Sequence, residues 1–351
     1  MTGEYRSVGA YGAPRRLPHF VLRRMLDAVS AGTMPDEPVA QLERRVADLL
    51  GKPRALFFPT GTMAQQVALR IHAARAGRPV FAGHPLNHLD LWEQRGYAAV
   101  HGLRFQPVGE PTRTLTLDDL AAVKEPVGAL LIELPQRELG GFLPTWGELT
   151  AQVAWAREHG AAVHLDGARI WESQPFYDRP HAEIAGLFDT VYVSLYKGLE
   201  GVRGAMLAGD DVTIDEAEVW RHRLGGAIPD AWPLALAASI GLDEVLPRMA
   251  AFRDHAVDIA AALTAGGVVE VRPDPPHTSM FHVLLPVSAT AAEAAGAAIT
   301  EELGVMLFRR VSAEAWPDRC RVEFTVGEHT MGFSPAEVAA LFADVVRRAS
   351  S

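Results

Sequence analysis

Three lysines stand against thirty arginines in this sequence, at positions 52, 124 and 197. Arginine keeps its proton in a protein, whereas a desolvated lysine amine can lose one and attack a carbonyl. Lys52 in LLGKPRAL and Lys124 in AAVKEPVGAL sit at polar breaks beside apolar runs and read as solvated loop cations. Lys197 ends the apolar run of YVSLYKGLEG, directly before a glycine, and is the candidate nucleophile. The competing reading is a strand-end lysine whose stem reaches back to water.

Two further elements supply matching chemistry. In FFPTGTMAQQVALR a strand runs into a turn whose Thr60, Gly61 and Thr62 open a helix. Free backbone N–H groups, two hydroxyls and a glycine that permits close approach make a phosphate cradle; the same letters also serve a plain N-cap. In AAVHLDGARIW an apolar strand ends in Asp166, with Arg169 three residues on. A carboxylate at a buried strand end needs a cation, either Arg169 as a structural partner or a ring nitrogen as a ligand. Asp166 precedes Lys197 by 31 residues. Cradle, strand-end Asp and Lys on the next strand form the set that pyridoxal 5'-phosphate requires: an imine-forming lysine, a carboxylate that keeps the pyridine nitrogen protonated, and a helix end for the phosphate.

The elements that must position these residues alternate in type. After a Gly- and Pro-bearing arm to about residue 16, LPHFVLRRMLDAVSAG and PVAQLERRVADLLG have helical spacing, the second ending at Gly51. Short apolar runs then alternate with helical ones: ALFFPTG, TMAQQVALRIHAARAG, RPVFAGH, LDLWEQRG, GALLIEL, WGELTAQVAWAREHG, AAVHLDGA and TVYVSLYKG. This predicts an α/β domain with a mostly parallel sheet and its crevice at the strands' carboxyl ends. A long helical segment interrupted by Pro247 follows, and MFHVLLPV, an Ala/Glu helix, GVMLFRRV, RVEFTV and a last helix from Ser334 suggest a smaller α+β domain. The expected division is an arm and first helix over 1–30, a large domain over 31–245 and a small one over 246–351.

At 351 residues, 48% hydrophobic and 22% charged, the chain is globular and can bury a sizeable core. A net charge of -10 argues against nucleic acid as a partner. The single Cys320 excludes an intrachain disulfide, suits a reducing compartment and reads as a small buried residue. The N-terminal MTGEYRSVGAYGAPRR lacks a signal-peptide core, and AWPLALAASIGL is too short to span a bilayer. The expectation is a cytoplasmic protein with a small-molecule ligand, no membrane and no metal.

FFPTGTMAQQVALR, HLDGAR and SLYKGL together resemble the phosphate loop, pyridine-binding strand and Schiff-base strand of the threonine aldolase and β-eliminating lyase family of fold-type-I pyridoxal-phosphate enzymes. The resemblance runs from about Arg44 to Gly226. It implies the aspartate-aminotransferase-like fold, a homodimer or homotetramer and an amino-acid substrate. By resemblance Lys197 carries the cofactor, Asp166 meets its ring nitrogen, Arg169 lies near its phenolic oxygen and the substrate carboxylate, and Thr60, Gly61 and Thr62 hold its phosphate. His88 in HLDLWEQRGYA, with Glu93 five residues on, matches the family's ring-stacking histidine and by resemblance is also a catalytic candidate, with the cofactor phosphate, for taking the substrate's β-hydroxyl proton.

Departures from the pattern bear on the reaction. In IELPQRELGGFLP the family's histidine falls on Gln136, whose amide can hydrogen-bond but cannot take a proton near neutral pH. Pro229 stands where an arginine usually helps hold phosphate, and Arg203 is the candidate substitute. Arg321 lies four residues before Thr325 rather than three, and one residue of slip turns a strand side chain to the other face. Ser7 keeps its place in YRSVGAYG, so Ser7, Arg169, Gln136 and Arg321 are the substrate candidates. The resemblance implies cleavage of a β-hydroxy amino acid to glycine and an aldehyde. β-Elimination, β-substitution or transamination, and a non-catalytic cofactor-binding protein, are the alternatives.

Overall fold

The computed structural model describes residues 6–9, 16–32 and 34–350. Most of the Gly- and Pro-bearing arm lies outside the described residues. The chain divides into two compact units: Ala28–Glu138 with Leu143–Leu246, and Met1–Asp27 with Leu139–Phe142 and Pro247–Ser351. The division near Pro247 has a local cause. A 3₁₀ turn, Leu246–Arg248, separates the helices Trp232–Glu244 and Met249–Ala265, because proline removes an amide hydrogen and crowds the preceding turn.

The first unit is built on a seven-stranded sheet. Its spatial order is Arg54–Phe58, Ala205–Gly209, Thr190–Ser194, Ala162–Gly167, Ala129–Glu133, Val80–Gly83 and Arg104–Pro107. Ala205–Gly209 alone opposes the other six. Apolar alternation marks five of these strands. It misses Arg104–Pro107, an edge strand with no buried side chain, and Ala205–Gly209, a buried run of small and apolar residues.

The helix Gly61–Ala76 organises this unit. Ala64, Val67, Ala68 and Ile71 pack on Phe58, Tyr192 and Leu207, while Leu69 and Ala73 join Phe81, Leu89 and Leu131. Apolar groups therefore run around most of the helix, as burial on two sides demands. Thr60 starts it, its Oγ1 accepting the Met63 N–H at 3.2 Å, and left-handed Gly77 ends it.

A polar bridge crosses this core. The Thr190 hydroxyl sits 2.7 Å from His72 Nε2 and 2.8 Å from His164 Nδ1. Burial holds both imidazoles neutral, with pKa values brought down to about 4 and about 3.

The second unit has a four-stranded antiparallel sheet, ordered Val311–Ala313, Cys320–Thr325, Met280–Leu285 and Glu270–Arg272. Its core stacks Phe324 between Phe281 and Phe342, at centroid distances of 5.2 and 5.8 Å. Arg6–Ser7 pairs in parallel with Val305–Met306. A capping box of Ser334 and Glu337 starts the final helix, Pro335–Ala349. Cys320 is buried in this sheet. No helix among the described residues is long and apolar enough to cross a membrane.

The His72–Thr190–His164 bridge predicts acid sensitivity. A histidine near 6.5 when unfolded, and lower when folded, stabilises the fold fully above pH 6.5 and progressively less as pH falls towards about 4 and 3. Urea midpoints should therefore drop between pH 7 and 4.5. Thr190→Val, which strips the hydroxyl from both rings, should lower the pH 7 midpoint by an amount worth about 1–3 kcal/mol.

Candidate active site

The strand Thr190–Ser194 stops three residues short of Lys197, which corrects the expectation that the lysine lies on a strand. The following turn is tightly specified. Ser194 Oγ accepts the N–H groups of Tyr196 (3.4 Å) and Lys197 (3.3 Å), Glu200 N–H reaches Lys197 O (3.3 Å), and Gly201 N–H reaches Leu195 O (3.0 Å). The glycine after the lysine has a steric reason: a Cβ on Gly198 would meet the carboxylate of the buried Glu172.

Asp166 belongs to a row formed by strand register. Glu133 pairs with Asp166, and Asp166 with Tyr192, across three parallel strands near their carboxyl ends. In-register side chains of neighbouring strands share a face, so two acids and a phenol stand side by side. Asp166 Oδ1 accepts the Ala168 N–H at 3.0 Å. The Tyr192 hydroxyl abuts Gly61, where an added Cβ would overlap it. The start of the helix Gly61–Ala76 is thus fixed one strand away from Asp166. Thr60 caps Met63, and helix geometry leaves the N–H groups of Gly61 and Thr62 without intrahelical partners.

The charges around this row act on one another. Burial and the positive charge of Arg169 bring Lys197 down to about 8, against the pull of Asp166 and Glu133. His88, first residue of the short helix His88–Trp92, is brought down to about 4 by burial, with Lys197, Arg137 and Arg169 adding to the effect and Asp166 opposing it. Glu133 is pushed up to about 8 by burial and by Asp166. Glu93 is raised to about 7 by burial, although Gln66 and Thr62 hydrogen-bond to it. Titratable groups moved this far, gathered at one end of a parallel sheet, mark a functional site.

The structure therefore gathers Lys197, Asp166, Arg169, His88, Gln136, Gly61 and Thr62 in one unit, at or beside this row. Gln136 is buried, and with Glu133, His84, Thr114 and Gln152 it lines a cavity of about 20 Å³, enough for one water-sized molecule. Arg203 is exposed, its guanidinium 5.0 Å from the centre of the Tyr196 ring. Pro229 lies on an exposed turn. Ser7 and Arg321 belong to the other unit. There Ser7 Oγ donates to Gly9 O at 2.8 Å, and Arg321 Nε lies 3.5 Å from Glu314. Along its strand Arg321 shares a face with Glu323 and Thr325, opposite the buried Cys320, Val322 and Phe324.

Sequence reading passed over Glu133, Tyr192, Arg137 and Glu172 as site residues. Glu133 had a signal: it closes the apolar run ALLIE as Asp166 closes the apolar part of AVHLDG. The others depend on contacts between segments distant in sequence.

A parallel sheet with a lysine turn, a strand-end aspartate and an open helix N-terminus at its carboxyl ends defines the class: the fold-type-I scaffold of pyridoxal-phosphate enzymes. Within it, the chain belongs to the threonine aldolase and β-eliminating lyase family, and the family pattern described as β-eliminating lyase matches residues 26–285. It is 32% identical over 275 residues to the low specificity L-threonine aldolase of Escherichia coli strain K12, covering 74% of this chain and 80% of that one. It is 28% identical over 226 residues to low-specificity L-threonine aldolase 1 of Arabidopsis thaliana, a match spanning 62% of that protein's length. A solved candidate L-allo-threonine aldolase from Listeria monocytogenes superposes with a TM-score of 0.91 at 35% identity, over 98% of this chain and 97% of that one.

The contact between Gly61 and Tyr192 is testable. Gly61→Ala should destabilise the protein by about 1–3 kcal/mol through overpacking. Adding Tyr192→Phe should return part of that loss, because the hydroxyl is the atom the new methyl meets first. A double-mutant cycle on thermal unfolding measures the coupling.

Proposed function

We propose that this chain is a pyridoxal-phosphate-dependent carbon–carbon lyase that cleaves a β-hydroxy-α-amino acid to glycine and an aldehyde. The observation that carries the proposal is the convergence of Lys197, with its lowered pKa, and Asp166 on one sheet end against the open start of the helix Gly61–Ala76. The residues fit the cofactor. Gly61 opens the helix whose first backbone N–H groups lack intrahelical partners and can meet a phosphate, and its missing Cβ lets that helix start pack on the Tyr192 hydroxyl. Asp166 offers a carboxylate to a ring nitrogen, and Lys197 an amine that deprotonates near neutral pH. Bound there, pyridoxal phosphate supplies a reactive aldehyde and an electron-accepting ring.

The chain's own residues divide the remaining work. Lys197 Nζ, about 8, holds and gives up a proton close to working pH. Arg169 offers a guanidinium to a carboxylate. His88, kept neutral, is assigned to the face of the cofactor ring rather than to proton transfer, since a pKa of about 4 is poorly matched to neutral conditions. Gln136 can hydrogen-bond a β-hydroxyl but cannot take its proton. Glu93, at about 7, is the best-matched acceptor among the groups that share this field.

Two measurements test the proposal. Borohydride treatment of the cofactor-loaded protein should leave the cofactor's mass on the peptide carrying Lys197; finding it on Lys52, on Lys124 or on no lysine removes the reading. Aldehyde, glycine, ammonia and keto acid should then be assayed separately on threonine and phenylserine. Ammonia or a keto acid without aldehyde would favour elimination or transamination, the outcome to which the loss of a basic side chain at Gln136 points.

The proton assignment gives a separate expectation. The acidic limb of the kcat profile for aldehyde release should fall near pH 7, where the Glu93 carboxylate loses its capacity to accept a proton as pH drops. In Glu93→Gln that limb should vanish and kcat should fall by roughly 10²-fold or more. An unchanged profile would reassign the base.

A further inference from the structure

Gln136 is held from two sides. Its Nε2 donates to Leu86 O at 3.1 Å and to Glu133 Oε2 at 3.1 Å. A side-chain amide nitrogen carries two hydrogens, so both are committed. Turning the amide over would set its oxygen against the Leu86 carbonyl, which can only accept, so the backbone fixes the orientation. Glu133 serves both neighbours that follow it: Oε2 takes the Gln136 amide, and Oε1 takes the Arg137 N–H at 3.1 Å. What remains of the Gln136 amide is Oε1. It takes no hydrogen bond from the described residues, and it is not sealed inside the protein.

We propose that Glu133 is a positioning residue that fixes Gln136 as a pure hydrogen-bond acceptor, so that the site selects amino acids whose side chain carries a hydrogen-bond donor at Cβ over isosteres that lack one. This rests on the reading of Gln136 as a residue that meets the substrate's side chain. It goes beyond that reading in assigning the polarity of the contact and the group that enforces it. A hydroxyl bound by an acceptor keeps its oxygen's lone pairs free and points its proton at the protein, whereas an ether or a methyl group leaves Gln136 Oε1 unanswered.

The test is ligand binding to the cofactor-loaded protein. Dissociation constants are measured for glycine, L-serine, O-methyl-L-serine and L-2-aminobutyrate, by stopped-flow absorbance within the first turnover. Wild type should bind serine about five- to tenfold more tightly than 2-aminobutyrate or O-methylserine, the net worth of one hydrogen bond. Gln136→Leu and Glu133→Ala should bring both ratios close to one, each ratio being taken within a single variant so that any change common to all amino acids cancels. Glu133→Asp retains the carboxyl but withdraws the acceptor by one methylene; it should also lose the preference, which keeps the test available should the alanine variant not fold. Glu133→Gln, whose single amide oxygen can accept from Gln136 or from the Arg137 N–H but not both, should retain only part of it. A wild-type ratio near one overturns the proposal. So does a Glu133→Ala or Glu133→Asp protein with an unchanged ratio, or one that weakens glycine and serine equally, as a purely structural role would. Wild-type discrimination without aldehyde release would retire the lyase reading and leave this one standing.

Discussion

Burying acids beside one another is costly, and the architecture of the larger unit follows from how that cost is met. Register puts Glu133 and Asp166 on adjacent parallel strands, facing the same way. Two carboxylates in that position repel and lose hydration, so at least one is driven towards its neutral form unless cations stand close. Burial and Asp166 push Glu133 up to about 8, while Lys197, Arg169 and the Arg137 N–H pull it back. Lys197 in turn is brought down by burial and by Arg169. Burial is the largest cause of both shifts, and the neighbouring charges add to it or oppose it.

The backbone then makes that set rigid. Gly61 lets the helix Gly61–Ala76 close on the Tyr192 hydroxyl, Gly198 lets the lysine turn close on Glu172, and Gly201 closes on the Leu195 carbonyl. Each is a place where a side chain would push the charges apart. Ser194 finishes the turn by accepting two successive amides. A site with several perturbed groups needs such support, since a shift of a few tenths of an ångström would change how strongly each charge is felt by the next. The cost of this arrangement is local and is offset beneath it, where the two-sided burial of the same helix joins two apolar clusters.

Function follows from which of these groups can still exchange a proton. Lys197 at about 8, Glu93 at about 7 and Glu133 at about 8 lie close to neutrality, while His88 at about 4 does not. Catalytic proton transfer favours groups poised near the working pH. The glutamine at position 136 stands where the family resemblance expects a histidine, and two hydrogen bonds fix the orientation of its amide.

By itself the sequence determined most of the order of elements, apart from the strands Arg104–Pro107 and Ala205–Gly209, and the cofactor-type motifs. Helices such as Pro38–Leu50 and Pro335–Ala349 carry their stop or start in local letters, Gly51 in one case and Ser334 with Glu337 in the other. FFPTG, HLDGAR and SLYKGL are contiguous, so the strand ends and turns that place Thr60, Asp166 and Lys197 are written in nearest neighbours. Only the tertiary structure decided what those residues meet. The Glu133–Asp166–Tyr192 row depends on pairing between strands more than twenty residues apart, and strand register is set by how three apolar runs pack together, which no local pattern encodes. The edge strand Arg104–Pro107 was illegible for the same reason: none of its side chains is fully buried, and its place comes from hydrogen bonds to Val80–Gly83 and the packing of Phe105 on Phe81. Arg203 shows the converse. By resemblance it stands in for the phosphate arginine missing at Pro229, and which ring its exposed side chain meets, here the face of Tyr196, is decided by packing alone.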